Sequence, residues 1–211
     1  MLEEAEKVLS TVISRKCESI YDHQNQIKGT AYHFNCYGFV DYLLERVSPP
    51  ARIVLHQRMC EMAPKVPPSW DGIPCPFNLF AIFQSLRKQP TELWSSVDFL
   101  DIKSGDILTY QPPIYTPPKE PDFSKPPPMH VVIIQKVWHK ESDWVHLQVI
   151  DSTRKPHNSS DSRFPDNSGI GCSELFIRFQ PSDKIYEIRW HQDAGWCEKA
   201  ISVGRLNLEN Q

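Results

Sequence analysis

His130-Val131-Val132-Ile133-Ile134-Gln135-Lys136-Val137-Trp138 is the most apolar β-branched run in the chain of 211 residues. Branching at Cβ suits an extended backbone, so the run predicts a buried strand. Residues 139 to 143 are polar and read as a turn. Trp144 to Ile150 then returns as the second arm of a hairpin, and its apolar run ends in Asp151-Ser152. Further strands are expected at 106–110, after the turn Lys103-Ser104-Gly105, and at 175–179, 184–190 and 200–206.

The first half reads differently. Leu9, Ile13, Cys17 and Ile20 form one stripe, with Val8 and Val12 beside it, which predicts an amphipathic helix from residue 2 to about 21. Asp22 to Gly29 reads as a loop. Cys36, Phe39, Val40, Leu43, Leu44 and Val47 recur in steps of three and four, so a second helix starts behind Asn35 and stops at Pro49-Pro50. Further helices start at Pro50 (Ala51, Leu55, Met59, Met62) and at Pro76 (Leu79, Phe80, Phe83, Leu86). The segment 50–97 therefore reads as a helical insertion. Of the 19 prolines, those from Pro112 to Pro128 mark a proline-rich loop at 111–128. It reads as a stiff surface loop or as an extended segment that docks a partner. Helices first and an antiparallel sheet afterwards predict a single α+β domain over 1–211.

Composition narrows the function classes. The net charge is −3, and no basic stripe suggests nucleic acid. No apolar stretch is long enough for a membrane span, and the acidic start Met1-Leu2-Glu3-Glu4 lacks the pattern of a secretory signal, so a cytoplasmic protein is expected. Cysteines 17, 36, 60, 75, 172 and 197 contain no C-x-x-C pair and predict free thiols. No P-loop, H-E-x-x-H or dinucleotide fingerprint occurs, so neither a metal nor a cofactor is expected.

Asn35 is a good helix cap, which makes Cys36 the first helical residue. Unpaired N–H groups and the positive end of the helix dipole favour a thiolate there. A small buried core cysteine fits the same stretch. A nucleophile needs a base, and His130 opens the most apolar strand. Asp151, across the hairpin from it, can orient the ring and set its tautomer. The backbone N–H of Cys36 is the expected oxyanion donor. Tyr32 and Gln24 are weaker donor candidates, and His33 lies three residues before the cysteine.

The ordered set resembles the NlpC/P60 cysteine peptidases, papain-like amidases of cell-wall peptides. Asn35-Cys36-Tyr37-Gly38-Phe39-Val40, Lys103-Ser104-Gly105-Asp106-Ile107-Leu108, His130-Val131-Val132-Ile133-Ile134 and Val149-Ile150-Asp151-Ser152 follow that family's order over about half of the chain. The resemblance implies a papain-like core, with the cysteine helix packed on a twisted antiparallel sheet. It implies Cys36 as nucleophile, His130 as base, Asp151 as third residue, and a thioester intermediate. The implied activity is hydrolysis of an amide in a peptide or peptidoglycan-like peptide, with a peptide or protein as partner. Acyl transfer or deamidation on a protein, or a non-catalytic binding module, are the alternatives. Tyr37 stands where that family carries a small side chain. In the related lecithin:retinol acyltransferase-like branch the histidine precedes the cysteine, whereas His130 follows Cys36.

Overall fold

Both faces of the central hairpin are buried. Val132, Ile134, Val145, Leu147 and Val149 turn one way into one apolar cluster. Val131, Ile133 and Ile150 turn the other way into a second, which they share with helical residues. A sheet with one wet face alternates apolar and polar residues. Burial on both faces is what a closed wall with helices outside it requires.

The computed structural model describes residues 1–14, 16–63, 72–114, 129–165, 167–180 and 185–208. The chain runs α1 (Leu2–Ile13), β1 (Ser19–Ile20), β2 (Gln26–Lys28), β3 (Ala31–His33), α2 (Cys36–Val47), α3 (Pro49–Met62) and α4 (Pro76–Ser85). It continues with β4 (Trp94–Ser96), β5 (Ile107–Gln111), β6 (His130–Lys140), β7 (Trp144–Thr153), β8 (Gly169–Gln180), β9 (Ile185–Arg189) and β10 (Cys197–Leu206). Residues 115–128 of the expected proline-rich loop lie outside the described residues. No helix among the described residues is long and apolar enough to cross a membrane. None of the six cysteines is in a disulfide.

The expected papain-like arrangement of helices on a twisted sheet is not what forms. β10, β5, β6, β7, β8 and β9 close into a six-stranded antiparallel barrel, with β9 pairing back onto β10 and β4 added along β10. The reason lies in the length of β10. Its residues Ala200 to Gly204 pair with β5, whereas Cys197, Glu198 and Lys199 pair with β9. A last strand beginning at residue 200 lacks the three residues that join the two edges. Closure leaves fewer backbone groups unpaired at open edges. Among the described residues the α-helices are four: α1, α2 and α4 pack on the outside of the barrel wall, and α3 packs on α2 and α4.

α1 also ends earlier than its stripe suggests. Ser19 and Ile20 leave the helical path to pair in parallel with Tyr32 and His33, and Gln26–Lys28 pairs with β3 from the other side. The stretch expected as a loop thus holds one strand of a small three-stranded sheet.

α2 lays Phe39, Val40, Leu43 and Leu44 against Val131, Ile133 and Ile150 on the outer wall. Fully burying such side chains contributes roughly 1.5–3 kcal/mol each. Gly204 lets α4 approach: a Cβ there would sit 2.3 Å from the Phe83 ring. These contacts fix the start of α2 against the end of the barrel where β6 begins and β7 ends.

Candidate active site

Asn35 ties the start of α2 in three directions. Its side-chain oxygen accepts the Gly38 N–H at 2.8 Å, its amide lies 3.1 Å from His23 Nδ1, and its backbone N–H donates to Asn25 Oδ1 at 3.1 Å. Asn25 lies directly over Gly38, where a Cβ would be 1.9 Å from Oδ1. The cap is thereby fixed, and Cys36 becomes the first residue of the helix, 1 % exposed.

His130 faces the interior of the barrel at its end, on the same side of β6 as Val132 and Ile134. The pair Ile133–Ile150 sets the hairpin register, so Asp151 lies level with Val132 and diagonal to His130 on the same face. Nε2 of His130 lies 2.5 Å from Asp151 Oδ2. Cys36 lies close enough to the same ring for its charge to act on it. His130 and Asp151 are thus in contact, and Cys36 lies near them.

Asp151 has further partners. His157 Nε2 lies 2.8 Å from the same Oδ2, and Arg163 donates to Oδ1 at 2.8 Å. Arg163 is itself buried, and Asp161 balances it through contacts of 2.8 and 2.7 Å. Burial alone would raise the Asp151 carboxyl. The charges of Arg163 and His157, with hydrogen bonds from both imidazoles, overcome it and hold the group well below the usual carboxylate range. Burial likewise disfavours a protonated His130. The charge of Cys36, then the bond from Asp151, outweigh it and push His130 up to about 9. The ring is thus held as an imidazolium at neutral pH, close to a sulfur and a carboxylate.

An aromatic shell surrounds this group. Trp190 stacks on His157 with ring centroids 3.5 Å apart and stands edge-on to His130 at 6.2 Å. Tyr110 lies 6.0 Å from His130, and burial followed by the charge of Asp151 raises its phenol against a lowering bond from Trp190. Tyr21 is raised by burial and then by the charge of Cys36, so its hydroxyl keeps its proton beside the thiol.

The other candidates lie elsewhere. His33 is paired with Asp22 at 2.7 Å. Tyr32 packs on Phe34 and Tyr42. Tyr37 faces the helices, lining a small cavity with Leu44, Leu55 and Leu79. Gln24 accepts from the Gln26 side chain. The sequence did not single out His157, Arg163, Trp190 or Tyr21. Only the distance of His157 from Asp151, six residues along the chain, hinted at proximity.

One ligand atom each from His130, Asp151 and His157 lies within 4.8 Å of the others, a spacing a metal ion can use. Both imidazoles instead bond the carboxylate, and a cation there would meet the Arg163 guanidinium on the same group. No protein-family model matches the chain, and no curated protein or solved structure matches it.

Proposed function

We propose that the protein is a cysteine hydrolase that cleaves an amide through a thioester. The observation that carries this reading is the position of His130, bonded to Asp151 and close enough to Cys36 to feel its charge. In this reading the Cys36 thiolate attacks the amide carbonyl carbon and forms a C–S bond. The His130 imidazolium gives its proton to the departing nitrogen as the C–N bond breaks. His130, now neutral, takes a proton from water, the water attacks the thioester, and the thiolate leaves. The Cys36 backbone N–H, at the first position of the helix, is the donor offered to the developing oxyanion. Asp151, held ionised, keeps the ring in orientation.

The order of motifs shared with NlpC/P60 peptidases supports the chemistry. The barrel is not their core, so the substrate is not taken from them. Cys36 is 1 % and His130 8 % exposed, so an amide reaches the sulfur only when the neighbouring side chains give way.

The test is hydrolysis of a pooled library of peptide aminomethylcoumarin amides by the full chain and by Cys36→Ala. The library is followed by acid quench and mass spectrometry for an acyl group. Turnover by the wild type, an acyl adduct on Cys36 and loss of at least about a thousandfold in the variant are expected. Hydrolysis that survives in Cys36→Ala, or no hydrolysis above its background, sinks the reading.

A further inference from the structure

His157 lies in the loop between β7 and β8, and the expected catalytic set has no use for it. Its placement is nevertheless heavily determined. Its backbone N–H donates to Asp161 Oδ2 at 2.9 Å, and Asp161 is the partner of Arg163. Its ring lies flat on Trp190, with an interplanar angle of 2°. The Asn158 side chain bonds the Trp190 carbonyl and pins the other half of the stack. The ring plane is therefore fixed before its Nε2 meets Asp151.

The atom it meets is informative. Asp151 has two oxygens, and Arg163 already offsets the charge through Oδ1 at 2.8 Å. A residue that served only to neutralise a buried carboxylate could use either oxygen. His157 bonds Oδ2, the oxygen that receives His130, and the two imidazole centroids stand 5.6 Å apart at 69°. Two N–H donors on one oxygen fix its position, and each draws off charge the other would otherwise feel.

We propose that His157 is a positioning residue of the Cys36–His130 pair: it holds Asp151 Oδ2 in line with the His130 ring and tempers the negative charge that reaches it. Its catalytic meaning rests on the hydrolase reading, but its effect on His130 does not. The groups facing His130 are Cys36 from α2, Tyr110 from β5, Asp151 from β7, His157 with Arg163 behind Asp151 in the β7–β8 loop, and Trp190 after β9. Tyr21 faces the Cys36 and Asp151 side of the group, with Arg154 over its ring. Both tyrosines keep their protons, so Cys36, Asp151, His157 and Arg163 set the charge around the ring. Removing the His157 donor leaves more charge on Oδ2, which favours the imidazolium.

The test is a histidine NMR titration of the full-length protein carrying isotope-labelled histidine, with the His130 signal assigned through His130→Gln. His157→Phe keeps an aromatic ring on Trp190 and removes the donor. His157→Gln keeps an N–H within reach of Oδ2 and removes the stack. The His130 midpoint is expected to rise by roughly half a unit to one unit in His157→Phe and to stay within about 0.2 units in His157→Gln. A midpoint unchanged or lowered in His157→Phe overturns the proposal, as does an equal rise in both variants. The titration needs no turnover. Failure of the peptide assay removes the hydrolase reading and leaves this result standing; an unmoved midpoint with an active wild type removes only the role of His157.

Discussion

Among the described residues, the buried Asp41 and Asp151 are each held by arginine and histidine side chains, and only Asp151 belongs to the group beside Cys36. Asp41, on α2, accepts Arg52 at 2.9 Å and lies 2.8 Å from His56 Nε2, both from α3. Asp151 accepts Arg163 at 2.8 Å and has two histidines on its other oxygen. Burial raises both carboxyls, and the partners overcome it in both, so both lie low. The first cluster clamps two consecutive helices together. The second has a histidine that also lies close enough to Cys36 to feel its charge. An Asp–His–Arg set is therefore not a site by itself; the thiol near the histidine, and the exclusion of water, separate the two.

Exposure makes the comparison quantitative. The side chains of Arg163 and Asp151 are 3 % and 0 % exposed, against 31 % and 11 % for Arg52 and Asp41. Removing one partner of a fully buried pair strands the other charge and costs about 3–5 kcal/mol. Arg163→Met is therefore expected to lower stability by roughly that amount. Urea unfolding at pH 7 measures it, and a loss under about 1 kcal/mol breaks the contrast between the two clusters.

The next effect is one of pH. In the folded chain His130 titrates at about 9, against an ordinary value of 6.5. A raised value means that the folded state binds the proton more tightly than the unfolded chain. The stabilisation is complete below about pH 6.5 and is lost as pH rises through about 9. Up to about 3 kcal/mol is at stake. Asp151 acts oppositely: its contribution holds above about pH 4 and disappears as pH falls through its lowered native value. Unfolding midpoints at pH 6 and pH 9.5 test the alkaline side. His130→Gln should flatten that limb, and a limb of equal slope in the variant rules out His130 as its source.

How much of this was legible in the sequence differs between the same regions. The helix start at Asn35-Cys36 was legible because capping is local, and the β6–β7 hairpin because its apolar run and turn are contiguous. Closure of the barrel was not. It depends on Cys197-Glu198-Lys199, largely polar and solvent-facing residues with no strand signal, finding the edge of β9. At the site, Cys36, His130 and Asp151 were singled out because each stands at the end of a regular element. His157, Arg163 and Trp190 lie in or after polar loops, where residue type reveals no partner. A buried arginine in a Ser/Asn/Asp-rich stretch is indistinguishable from a solvated one until Asp151 is seen behind it.

The smallest expected effect sharpens the comparison from the other side. Arg52→Met removes a guanidinium that is about one-third exposed, so water screens Asp41 in its absence and His56 remains 2.8 Å away. The loss should be about 1 kcal/mol or less, in the range of exposed ion pairs. The substitution also leaves the interior end of the barrel untouched, so the His130 midpoint should not move. Urea unfolding and the histidine titration read the two quantities in one sample. A loss as large as that of Arg163→Met would show that Asp41 is as dry as Asp151. A moved His130 midpoint would show that the clusters communicate along α2, whose first residue is Cys36 and which carries Asp41 little more than one turn later.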